Sequence, residues 1–244
     1  MDLTHEARKN LAKELAYHLS WEFWMTDHAI AAQAALTKIY PKGVIPDDPT
    51  AATSSKIWTE LRSWWKKYFK ERSMDTVAVG ISQNGKHIVI AANIKKRTEQ
   101  GIRKPAKGAF NKNEFGLHDG RHDEAIRRAF ATFPHTRRCI ISVLMPENQP
   151  QSKEQNAHLH AEMQIVNFMR KSGLKIGVVG ISKVACADCK GILDSCGIDH
   201  VYNENGHLTF PEGPTEGQSF ENWGDPFSQN FGTIERRQIE HATV

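Results

Sequence analysis

Cysteine is scarce. The chain has four in 244 residues (Cys139, Cys186, Cys189 and Cys196), too few to staple a chain of this length, and three of them fall within eleven positions. Crowding of that kind favours metal binding over a disulfide framework and suggests a reducing compartment. Long apolar runs are missing as well. No stretch approaches the ~18 consecutive apolar residues of a membrane-spanning helix. The opening MDLTHEARKNLAKEL lacks the apolar centre of a secretory signal, so no membrane segment is expected. Charge of one sign is barely in excess: 32 Lys and Arg against 28 Asp and Glu give a net charge of +4, which does not by itself announce a nucleic-acid binder. Internal repeats and low-complexity tracts are absent. What remains is an ordinary globular composition, 39% hydrophobic and 25% charged, able to bury a sizeable core. The length suggests one main domain with an appendage.

The first seventy or so residues read as helical. From Thr4 to about Trp24, Ala7, Leu11, Leu15, His18 and Leu19 recur at three- and four-residue spacing, the stripe of an amphipathic helix. Thr26 or Asp27 can cap a second helix that runs to Tyr40 before Pro41 and Gly43. After a turn-rich stretch, Ser55 opens a third, with Ile57, Leu61, Trp64 and Tyr68 on an aromatic face and Lys56, Arg62, Lys66, Lys67, Lys70 and Arg72 opposite. At Asp75 the pattern changes. Two β-branched runs, 76–82 and 87–93, flank Asn84-Gly85, a strong hairpin signal because both residues tolerate positive φ. The domain boundary is therefore placed here, with 1–73 as a helical N-terminal region and 74–244 as the main domain. Within the latter, about 95–156 reads as an insertion that opens with a basic, aperiodic loop. The pattern predicts a helix over 123–133, a strand over 138–145, a helix over 157–169 ended by Gly173, a strand over 175–182 and a short helix over 186–194. The His200–Tyr202 run and a further short run at 208–210 follow, and the tail from Pro211 is weakly patterned. Strands alternating with helices imply a sheet covered by helices.

The chemistry is carried by His160-Ala161-Glu162 and, 26 residues after His160, Cys186-Ala-Asp-Cys189. Zinc takes nitrogen and thiolate ligands tetrahedrally, and a catalytic site leaves one position open. One His and two Cys make three ligands and leave that opening. A Cys-x-x-Cys at a helix start points two thiolates at one ion, and the positive end of the helix favours their ionised form. Glu162 need not bind the metal. Two residues along, it can take a proton from an activated water and pass it on. His-x-Glu followed by Cys-x-x-Cys is the signature of zinc deaminases that attack C4 of cytosine or C6 of adenine. The predicted helix, strand and helix agree with that spacing.

HAEMQIV…GISKVACADC resembles the cytidine deaminase-like superfamily, and within it the toxin- and effector-type members, over about residues 76–210. The resemblance implies a three-layer α/β fold with a mixed central sheet, here preceded by the helical N-terminal region. It implies Zn2+ held by His160, Cys186 and Cys189, with Glu162 as proton shuttle. It also makes Asn93, at the end of the second strand, a candidate substrate contact. Ala161 and Ser182 complete the substrate-binding candidates. Ala185 stands where the commoner pattern has Pro. The implied function is hydrolytic deamination of a nucleobase, with cytosine in single-stranded DNA or RNA preferred because two basic stretches accompany the site. The helical N-terminus could be a trafficking or adaptor segment of an effector, a contact for an immunity or adaptor protein, or simply an extension of the core, and nothing in its pattern chooses among these. The expected location is a cytoplasm, the chain's own or, for a secreted effector, that of a target cell.

Other readings stay open on sequence alone. The same chemistry could serve free nucleosides, nucleotides or bases, or a pterin-like heterocycle. Alternatively, the three ligands could form a structural zinc site completed by His158 or Cys196, in a module whose helices bind a partner. Cys139, inside an apolar run, reads as a small core residue. The Trp58–Phe69 helix either docks its aromatic face or stacks bases. Lys95–Lys107 either tracks phosphates or is a surface loop. Phe220 and Trp223 either cover the pocket or pack in the core.

Overall fold

The computed structural model describes residues 3–39, 72–96, 121–146, 160–202, 225–228 and 234–240. The Trp58–Phe69 segment, most of the basic stretch after Lys96, His158, the 203–210 run, Phe220 and Trp223 lie outside these residues. In chain order the elements are α1 (His5–Ile39), β1 (Arg72–Ser82), β2 (His87–Lys96), α2 (Arg121–Ala131), β3 (Ile140–Pro146), α3 (Ala161–Ser172), β4 (Ile176–Ile181), α4 (Ala187–Ser195), β5 (Asp199–Tyr202) and β6 (Ile234–Ile239).

The six strands form one mixed sheet in the order β5-β4-β1-β2-β3-β6. β1 pairs antiparallel with both β2 and β4, the β2–β3 and β4–β5 pairs are parallel, and β6 closes the far edge antiparallel to β3. The hairpin turn differs in detail from its sequence signature. Only Gly85 takes a positive φ, 70°. Asn84 instead accepts hydrogen bonds through Oδ1 from the Ser82 hydroxyl and the Lys86 N–H, an Asn-centred turn that needs only its glycine in the left-handed region.

Alternation along the strands divides the interior in two. Val77, Val79, Ile81, Ile88, Ile90 and Ala92 face α1 and α2, whereas Ala78, Val89, Ala91, Val179 and Ile181 face α3 and α4. The result is a helix–sheet–helix sandwich. α1 contributes Leu11, Leu15, Leu19 and Phe23, all buried, and each adds about 1.5–3 kcal/mol through burial. A boundary between residues 73 and 74 thus falls inside β1, which begins at Arg72, and no seam separates the side chains of α1 from those of the sheet. Gly180 marks the closest approach. A Cβ there would collide with the Ala12 carbonyl oxygen, so the helix backbone sits directly on the sheet.

Two expectations change. α1 continues through residues 26 and 27, where the sequence suggests a helix break. Thr26 does not cap. Its hydroxyl accepts a hydrogen bond from Arg128 of α2, whose Nε also reaches Glu22 at 2.8 Å. The stretch read as an insertion contains α2 and β3, both integral to the sandwich, and the weakly patterned tail supplies β6. No helix among the described residues is long and apolar enough to cross a membrane.

Candidate metal centre

Two helix starts build the site. His160 occupies the N-cap position of α3 (φ −55°, ψ 139°) and makes no side-chain cap bond, so its imidazole is turned to other use. Its carbonyl accepts the Gln164 N–H at 3.0 Å, which starts the helix. Cys186 occupies the N-cap position of α4 (φ −67°, ψ 164°), and its sulfur accepts the Cys189 N–H at 3.5 Å. A thiolate thereby replaces the hydroxyl or carboxylate usual at that position. The strand between the two helices, β4, ends at Ile181 and sends the chain back toward α3.

His160 Nδ1 lies 3.3 Å from Cys189 Sγ and 3.6 Å from Cys186 Sγ. All three ligand atoms fall within 4.8 Å of one another. A tetrahedral ion with metal–nitrogen bonds of about 2.0–2.1 Å and metal–sulfur bonds of about 2.3 Å requires about 3.5 Å between nitrogen and sulfur. The residues fit such an ion. Both sulfurs are buried and the imidazole is half-buried. The Cys186 thiol is drawn down to about 4, first by its hydrogen bond with the Cys189 thiol and further by His160 and the Cys189 N–H, against the desolvation that raises it. These are the conditions under which sulfur is held as thiolate, the form that binds metal.

Among the described residues, no further His, Cys, Asp or Glu joins this group. Cys196 is ten positions beyond Cys186 and caps the other end of α4, which puts it about 15 Å away at 1.5 Å per residue. It is therefore not a fourth ligand. Glu162 lies in the first turn of α3, 2% exposed, where the helix dipole favours a carboxylate.

The substrate candidates fall at the same end of the sheet but differ in what they do. Ser182 follows β4, and its Oγ accepts the Val77 N–H at 2.9 Å while its own N–H donates to the Val77 carbonyl. The hydroxyl thus helps hold β4 to β1. Asn93 pairs with Thr76, one position from the Val77–Ala92 pair. Ala161 is fully buried in the α3–α4 core. Cys139 lies at the edge of the α1–α2 core, its thiol pushed up by burial and donating weakly to the Gly85 carbonyl at 3.4 Å.

Sequence reasoning missed two buried polar side chains on α3. Gln164 (1% exposed) donates to the Ala92 carbonyl of β2 at 3.3 Å, and Asn167 (3% exposed) donates to the Pro226 carbonyl at 2.8 Å. Their signal was present, two amides interrupting the apolar run of residues 161–169, but nothing local names their partners. Comparison of the chain with family models, with curated proteins and with solved structures returns no match.

Proposed function

We propose that the chain is a zinc-dependent hydrolytic deaminase of a nucleobase, with cytosine in a single-stranded polynucleotide as the preferred substrate. The observation that carries this reading is the metal-sized triangle of His160 Nδ1, Cys186 Sγ and Cys189 Sγ, with a buried carboxylate, Glu162, two residues from the histidine ligand. The cytidine deaminase-like superfamily resembled by the His-x-Glu and Cys-x-x-Cys motifs has this set of groups. Three protein ligands leave one position open, as a hydrolytic site requires.

Zinc bound there would supply the Lewis acidity that lets water act as a nucleophile near neutral pH. The chain supplies the rest. His160, Cys186 and Cys189 hold the ion. Glu162 takes a proton from the attacking water and delivers it to the pyrimidine N3. It then passes the second proton to the departing amine as the C4–N bond breaks. Water and cytosine become uracil and ammonia, with atoms and charge balanced. A base within a duplex cannot reach such a site, so the substrate is single-stranded or flipped. The preference for a polynucleotide draws on the basic stretches at 56–72 and 95–107, which suit a phosphate backbone.

The test is incubation of the purified full chain with single-stranded DNA, RNA and free nucleosides, reading ammonia and base identity by mass spectrometry. Deamination of polynucleotide that falls steeply with added salt is expected. Activity on free nucleosides that is indifferent to salt would move the substrate to the small-molecule class. Turnover of none of these would remove the reading.

A further inference from the structure

We infer that Gln164 and Asn167 are positioning residues of the metal site: anchored to two backbone carbonyls on separate elements, they set how far α3 is rotated about its own axis. The inference rests on the metal centre of the proposed reading but not on the reaction assigned to it.

His160, Gln164 and Asn167 follow one another at four and three positions, the spacing that keeps side chains on one face of a helix. The first points at the two sulfurs. The second is tied to Ala92 O on β2, one residue before Asn93. The third is tied to Pro226 O in the short segment 225–228. One turn further along, Arg170 Nη1 donates to Phe227 O at 3.1 Å, and the guanidinium lies 5.4 Å from the centre of the Phe227 ring. The segment itself is closed by Asp225, which accepts the Phe227 N–H through Oδ1 and the Ser228 N–H through its carbonyl. α3 is therefore tied along one face both to the sheet and to the 225–228 turn.

Apolar contact is non-directional, so the burial of Met163, Ile165, Val166 and Phe168 constrains the roll of the helix less sharply than a hydrogen bond does. A roll of about 10° moves an atom about 6 Å from the helix axis by roughly 1 Å. Metal–ligand distances tolerate only about 0.2 Å. Hydrogen bonds are directional where apolar contact is not, and a buried amide that loses its partner is penalised. Two anchors on different elements therefore fix the roll at the precision the histidine ligand needs, and the same roll sets the direction of Glu162.

The experiment is titration of the metal-free full chain with Co2+, following the visible d–d bands that report tetrahedral thiolate coordination. The variants are Gln164→Met and Asn167→Leu, which remove the donor at similar volume, and Val166→Ala, which loosens the same helix without touching either anchor. All are checked for native near-ultraviolet circular dichroism. If Gln164→Met does not fold, Gln164→Asn and Asn167→Leu carry the comparison. The two anchor variants are expected to shift the d–d bands and weaken Co2+ binding about tenfold, the lower end for groups that orient a ligand. Val166→Ala is expected to leave spectrum and affinity within about twofold of wild type. Anchor variants with the wild-type spectrum, or an equal change in Val166→Ala, overturn the inference while the metal site stands. A wild-type chain that gives no thiolate spectrum overturns both.

Discussion

Glu162 is the residue on which binding and chemistry separate. Under the proposed reading, replacing it with Gln removes the group that would carry protons but leaves His160 and both sulfurs in place. The Glu162→Gln protein is expected to retain zinc while deamination falls about 10²–10⁴-fold, the usual contribution of a positioned acid–base. Metal analysis beside a turnover assay checks this. Loss of zinc with the carboxylate would make Glu162 a ligand, and full turnover would leave it without a catalytic role. A second residue-scale test concerns Asp199, whose carboxyl is held below its ordinary value first by the hydrogen bond from His5 at 2.7 Å, with Lys9 adding and desolvation opposing. A depressed carboxylate stabilises the fold above its unfolded value of about 3.9 and loses that contribution as pH falls through its lower folded value. Both side chains are about half exposed, so the stabilisation is small and screened by salt. Carboxyl titration by NMR is expected to show Asp199 returning toward its ordinary value in His5→Ala, with little change in melting temperature.

Among the elements, the contact between α1 and β4 gives the sharpest expectation. Gly180→Ala places a methyl group against the Ala12 carbonyl, and neither backbone can yield without disturbing the helix or the sheet. A loss of about 1–3 kcal/mol or more in urea unfolding is expected, as for other overpacked interiors. Gly191→Ala is the control. It lies inside α4 with nothing within 4 Å of the added Cβ, and helix propensity favours it by up to about 1 kcal/mol. Equal effects at the two glycines would contradict the packing described. The elements also show what the sequence could and could not reveal. β1, β2, β4, α3 and α4 are legible because β-branched runs, Gly173 and the N-cap Cys186 act locally. β6 is not. Ile234-Glu-Arg-Arg-Gln-Ile239 keeps its apolar residues at the ends. Its middle is held by partners remote in sequence, with Arg237 on Asp123 at 2.6 Å and Arg236 on Ser142 and over the Phe168 ring. The continuity of α1 was hidden for the same reason, since the partner of Thr26 lies on α2.

At the scale of the whole molecule, α1 completes one face of the sandwich and is not an appendage to it. Removing residues 1–73 would uncover Val77, Val79, Ile81, Ile88 and Ile90 together. The truncated chain is expected to lose cooperative unfolding and to bind an apolar dye. A truncated chain that melts like the full one would return α1 to the status of a separate region. The His-x-Glu and Cys-x-x-Cys ligands could be read from the sequence because each begins a helix. Their convergence depends on β4 bringing those two starts to one end of the sheet, which only the fold supplies. X-ray absorption at the zinc edge of the purified protein tests that convergence most directly. The expected first shell is two sulfurs at about 2.3 Å and two nitrogen or oxygen atoms at about 2.0–2.1 Å, with one of the latter lost on His160→Ala. A shell of three sulfurs, or a protein that retains no zinc, would contradict the account.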